Sequence, residues 1–338
     1  MACLFVRYKS DLDGATSRNG RGKTIAVRQG KMTSWFGLGS NERLYRAYTP
    51  FVTAAFDAGG QVVAAARRLA DGMGYRRTTA DAFSGKPVPT ALLAARLFGS
   101  LALLPFAALQ GVATSRRVPR LPSAKPPHRG AVAGAGPVIR VLAIGESSVS
   151  GVGLVNGEET MVAATARSLA RITNRPVTWR ANGLSGATVN EGLGRLLPSL
   201  TSEPADLLVV AFGVNDVMAY RSPSGFADDL EELVRAARDR VGEAAVVIAG
   251  VGPMRSFPAL PWPLRSILGW RSEALQLASE RLAERIPRLV IKRFASRLAP
   301  DLFAIDGFHP NARAHSLWGE EIAALALPLL KSTGVISG

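Results

Sequence analysis

Asp306 and His309 stand three residues apart in Asp306-Gly307-Phe308-His309-Pro310, a spacing that puts a carboxylate and an imidazole on one loop. Such a pair suits proton transfer: the carboxylate holds one ring nitrogen, and the other takes a proton from a nucleophile. The nucleophile it calls for is a hydroxyl displayed at the end of a strand. Ser147 and Ser148 meet that need, following the apolar run Val138–Ile144 and then Gly145 and Glu146. Two more blocks lie between these ends, Asn182–Thr188 around Gly183 and Phe212–Asp216 around Asn215. A side-chain amide or a backbone N–H just past a strand can stabilise a developing oxyanion. The four blocks together point to acyl transfer through a serine nucleophile.

Taken singly, each block has a plainer use. A serine after a strand is an ordinary cap or turn residue. In isolation Asn215 reads more readily as a helix N-cap or Asx turn than as an oxyanion donor, and Gly183 as turn chemistry. The run from Gly145 to Val149 does not match the G-x-S-x-G elbow of ordinary α/β-hydrolases, and it lacks the Gly-Lys-Ser/Thr ending of a phosphate-binding loop. Of the three histidines, His128 sits among prolines and is expected to be solvated. His315 falls within the last predicted helix and is expected at the surface or as a cap. His309 precedes that helix, with Pro310 in its first turn.

These residues need a frame to bring them together. Short runs rich in branched residues at Val138–Ile144, Val177–Ala181, Leu207–Phe212, Ala245–Val251 and Leu289–Ile291 read as buried parallel strands. Helical periodicity covers about Thr160–Thr173, Val189–Leu200, Phe226–Val241, Arg265–Ile286 and Asn311–Leu330. Strands alternating with helices predict a doubly wound parallel sheet with right-handed crossovers. Sites in that architecture lie beyond the carboxyl ends of the strands, where the first three blocks fall, while the last precedes the final helix.

The joint pattern resembles the SGNH (GDSL-like) hydrolase family over about residues 138–331. The resemblance implies a flavodoxin-like three-layer α/β/α sandwich on a five-stranded parallel sheet. It maps the nucleophile onto Ser147, with Ser148 a weak rival. Gly183 and Asn215 become oxyanion donors beside the Ser147 N–H, and Asp306 and His309 complete a triad. The family's usual Asp before the nucleophile is Glu146 here, which keeps a carboxylate on a longer arm. No metal or organic cofactor is implied. The expected substrates are acyl or lipid esters. The rivals are carbohydrate O-deacetylation and a non-catalytic, membrane-tethered binding module. The proline- and aromatic-rich segment Gly252–Leu264 is expected to line a cleft or cover the site, or else to be a rigid packed loop.

The remainder of the chain differs in kind. Of 41 Lys+Arg and 26 Asp+Glu, residues 1–137 hold 20 and 6, a balance of +14, leaving 21 and 20, or +1, for residues 138–338. The basic charges are scattered, without aromatic interleaving or zinc-ligand spacing, so no nucleic-acid partner is expected. The single Cys3 excludes an internal disulfide. Residues 1–88 read as a basic, largely disordered extension, with a short Ala/Val-rich helix at Phe51–Leu69. Residues 89–114 form a hydrophobic helix whose core, Ala91–Ala113, carries only Arg96. Its length is near the ~20 apolar residues of a membrane span. A buried or interfacial helix and a signal peptide starting near Met73 are the alternatives. Residues 115–137 read as a Pro/Arg-rich linker, and residues 138–332 as the catalytic domain. The basic flank after the helix predicts a membrane-associated, single-pass protein with that domain on the cytoplasmic face. Soluble cytoplasmic and exported forms are the alternatives.

Overall fold

The computed structural model describes residues 89–336. The expectations for residues 1–88, the Phe51–Leu69 helix included, lie outside them. Each branched run becomes a strand: β2 (Ile139–Gly145), β3 (Val177–Gly183), β4 (Leu207–Ala211), β5 (Ala245–Ile248) and β6 (Leu289–Ile291). These five are parallel, as the sequence predicts. A further strand, β1 (Arg129–Val132), pairs antiparallel with β3, giving the order β1-β3-β2-β4-β5-β6. β1 comes from the segment expected to be a linker. Its four residues have no apolar run to announce them, and its pattern is half exposed, as an edge strand tolerates.

Residues that alternate along the strands divide the core into two layers. Leu142, Ile144, Leu208, Val210, Val246 and Ile248 face α6 (Pro223–Val241) and α7 (Leu264–Glu280). Val141, Ala143, Leu207, Val209, Ala245 and Val247 face α3 (Met161–Thr173) and α8 (Ala312–Ser332). A three-layer α/β/α sandwich follows from that period of two. Helix starts are set by side-chain caps: Thr160 for α3, Ser222 with Pro223 for α6, and Asn311 for α8. The helix expected over Val189–Leu200 is shorter. Val189–Glu191 (α4) passes into a π-helical turn, Gly192–Leu196. Gly192 and Gly194 weaken helix there, and a Cβ on Gly192 would lie 2.7 Å from the Phe212 ring. A short helix absent from the prediction, α5 (Val214–Met218), follows β4.

The hydrophobic helix is two helices, α1 (Thr90–Gly99) and α2 (Leu104–Arg117), joined by a 3-10 turn at Leu101–Leu103. Pro105 has no N–H and sits in the first turn of α2, while Ser100 ends α1 with its hydroxyl donating to Leu97 O, so the break is local chemistry. Both helices contact α7. Beyond α2 the chain runs along the serine turn. Ala124 N donates to Ser150 O (3.1 Å), Lys125 N to Val155 O (3.2 Å), Gly153 N to Pro122 O (3.0 Å) and Gly157 N to Lys125 O (2.9 Å). Residues 122–125 are therefore a strap on the turn that carries Ser147.

Candidate active site

The register of the sheet assembles the site. Gly145 stands opposite Gly183 on β3 and opposite Ala211 on β4, so three strand ends meet at one place. Val149 and Ser150 N–H groups both donate to Glu146 O, curling the chain into a tight turn through Ser147. Ser147 is half-buried there, whereas Ser148 is only 8% exposed, which favours the first as the accessible hydroxyl. Gly183 touches this turn through its backbone: a Cβ would lie 2.3 Å from Ser150 N. No larger residue permits that approach.

The second cluster comes from the loop before α8. His309 Nδ1 lies 2.6 Å from Asp306 Oδ2, and Asp306 Oδ1 accepts from the N–H groups of Phe308 (2.9 Å) and His309 (3.0 Å). Burial pushes the Asp306 carboxyl up, but these hydrogen bonds outweigh it and hold the group below the usual carboxylate range. Asp306 therefore accepts as an anion, and Nδ1 carries the proton. The loop is shaped by Gly307, at φ +63°, whose carbonyl accepts from Ala259 N (3.0 Å). Phe308 packs edge-on against Phe257, 5.1 Å between centroids. The segment Gly252–Leu264 is thus seated on the His309 loop, with Met254, Phe257 and Leu260 buried in the core. It is packed on the domain, as one alternative of the sequence reading has it, and it adjoins the His309 loop, as the other has it.

Among the described residues no hydrogen bond joins Ser147 to His309. The two loops approach through Gly153, where a Cβ would come 3.4 Å from the Ala304 Cβ. Catalytic hydrogen bonds are often longer before substrate binds.

Asn215 lies in α5, next to the serine turn, but its amide is engaged. Nδ2 donates to Glu146 Oε2 and to Ala187 O (3.2 Å). Glu146 is buried, and its carboxyl also accepts from Val214 N (3.1 Å) and Asn215 N (3.2 Å). The longer arm of Glu thus reaches across to the Asn215 block. Burial, then the Asp216 charge, raise the Glu146 carboxyl to about 8, against the three N–H donors. Asp216, buried beside it and accepting from Val189 N, is raised to about 7 by burial. This pair of buried carboxyls is absent from the sequence reading. A hint exists in Glu146 and Asp216 each adjoining a site residue after a strand.

His315 corrects an expectation. It is fully buried rather than at the surface, and Nδ1 accepts from Met161 N (3.1 Å) at the start of α3. It caps a helix other than its own, and burial pushes its imidazole down to about 3, so it stays neutral. Nothing in a lone helical histidine signals a partner 154 residues away.

Residues 143–317 match the model of the GDSL-like lipase/acylhydrolase family, and the chain belongs to that family. It is 30% identical over 189 residues to a GDSL-like esterase of Mycobacterium tuberculosis, covering 53% of this chain and 59% of that protein. A GDSL lipase of the same organism is 30% identical over 151 residues, covering 43% and 62%. The chain thus spans less than two thirds of either relative. The lipase Lip_vut3 from a goat rumen metagenome is similar with a TM-score of 0.47 at 17% identity, covering 55% of this chain and 97% of that one.

Proposed function

We propose that this chain hydrolyses carboxylic esters through Ser147, His309 and Asp306. His309 Nε2 takes the Ser147 proton as Oγ attacks the ester carbonyl carbon. The oxyanion is held by the N–H groups of Ser147 and Gly183 and by Asn215, whose 3.2 Å bond to Ala187 O is the one it can exchange. Collapse returns the proton to the leaving alcohol, and water repeats the sequence on the acyl-enzyme. Asp306 orients His309 and stabilises its cationic form. The observation that carries this reading is the 2.6 Å contact between Asp306 and His309 Nδ1, which leaves Nε2 to move the proton.

Acyl or lipid esters are the substrates we favour. Ile305, 91% exposed, sits immediately before Asp306 and offers an apolar rim to the site. Membrane association through residues 91–113 belongs to the same proposal. The test is labelling by a fluorophosphonate together with turnover of p-nitrophenyl esters from acetate to palmitate. Wild-type and Ser148→Ala protein are expected to label and turn over. Ser147→Ala is expected to lose both, by roughly 10⁴-fold or more in rate. Full activity in Ser147→Ala removes the proposal, and turnover of acetate alone redirects it to carbohydrate O-deacetylation.

A further inference from the structure

The α1–α2 segment is apolar over most of its surface, yet only one side of it is covered. Leu93, Ser100 and Ala107 are buried, and Leu97, Leu104 and Gln110 partly so, a stripe at three- and four-residue spacing that faces the domain. Gln110 fastens it: Nε2 donates to Trp262 O (2.8 Å) and Oε1 accepts from Leu264 N (3.2 Å). Outside that stripe Phe98, Leu109 and Leu101 are exposed by 77%, 71% and 55%, and Leu92 and Val112 are exposed as well. A helix face of that composition demands an apolar medium.

Two observations say which medium and in what posture. The charged side chains within α1–α2 and just after it are Arg96, Arg116, Arg117 and Arg120, cations without one acid among them, whereas Arg129 further on is paired with Glu203 at 3.0 Å. An apolar face flanked by cations complements an anionic lipid surface. Both helices also contact α7, which bears Arg265, Arg271 and Glu273. A membrane-crossing α1–α2 would carry those charges into hydrocarbon or would have to leave the domain. We infer that α1–α2 lies in the plane of an anionic lipid surface, outer face down, without crossing it. The charge rule for sidedness then has no span to act on. This binding does not depend on the catalytic reading, since Ser147, His309 and Asp306 take no part in it.

The experiment is flotation of the full chain with vesicles of phosphatidylcholine alone or mixed equally with phosphatidylglycerol. The chain is expected to float with the anionic vesicles and to be released by salt. A Phe98→Asp/Leu109→Asp double variant is expected to lower binding roughly 10²-fold, while turnover of soluble p-nitrophenyl acetate stays unchanged. An environment-sensitive probe attached to Leu92→Cys, Leu101→Cys or Val112→Cys, each in a Cys3→Ser background, reports depth. In the plane, position 101 is no deeper than position 112 and none of the three reaches the bilayer centre. In a span, positions 92 and 112 lie ~30 Å apart near opposite surfaces with 101 nearer the centre. No flotation, flotation that ignores the double variant, or a profile deepest at 101 each overturns the inference. So does a lipid-free dimer that the double variant dissolves, since a second copy would then cover the face.

Discussion

Replacing Glu146 by Gln tests the buried pair beneath the serine turn. Glu146 has its carboxyl raised from 4.5 in the unfolded chain to about 8 in the fold. A raised group stabilises fully below its unfolded value, and that contribution is lost as pH climbs to the folded value. At 1.36 kcal/mol per pH unit, wild-type protein loses about 2 kcal/mol between pH 6.5 and 8 through this residue alone. That window is chosen because His315, pushed down to about 3, contributes its pH dependence below 6.5. Asp216, raised to about 7, adds a loss of the same sign that ends near neutrality. Glu146→Gln cannot ionise, so between pH 7 and 8 its stability is expected to be nearly flat where wild type still falls. The assay is urea denaturation at half-unit steps of pH, with the midpoint converted through a shared m-value. Equal slopes for the two proteins from pH 7 to 8 refute the burial argument. Glu146→Ala is the harsher variant. It strands the N–H groups of Val214 and Asn215, and a stability loss of about 2–5 kcal/mol is expected.

Asn215→Ala is expected to lower kcat by about 10²–10³ with KM little changed, if its amide serves the oxyanion. A change confined to KM reassigns Asn215 to substrate binding, and the contact with Glu146 makes a loss of stability the outcome to check in parallel by thermal melting. Truncation separates the strap from the helix. A chain starting at 118 is expected to retain turnover of soluble esters, whereas one starting at 131 loses residues 122–125 and half of β1, and with them the backing of the serine turn. Displacement of a nucleophile by about 1 Å costs roughly 10²-fold, and equal activity of the two truncations removes any part for the strap.

What the sequence made legible follows period and punctuation. β4 is an unbroken apolar run and β2 is broken only by the exposed Arg140, while α6 and α8 are periodic, although α6 starts at Pro223, three residues before the expected Phe226. Asp306 and His309 were legible because they share one loop, where spacing and geometry are nearly the same thing. β1 was not, because Arg129–Val132 is held by pairing with β3 and not by its own composition. Contacts made across the chain were hidden for the same reason: Glu146 with Asn215, His315 with Met161, and Ala124 with Ser150 each join elements that only the folded sheet brings together. The length of Glu146 was visible, but its destination was not.

The strap gives the N-terminal region a place in enzyme engineering. From Arg117, where α2 ends, to Pro122, where the hydrogen bonds to the serine turn begin, the chain runs only a few residues. The α2 end and the Ser147 turn are therefore separated by a short tether that pairs with the backbone just beyond Ser147. Grafting a foreign N-terminal segment onto this hydrolase domain at a point beyond Pro122 would exchange part of the scaffold that backs Ser147. Chimeras of this kind should be joined upstream of Val118, so that address and reactivity can be varied independently.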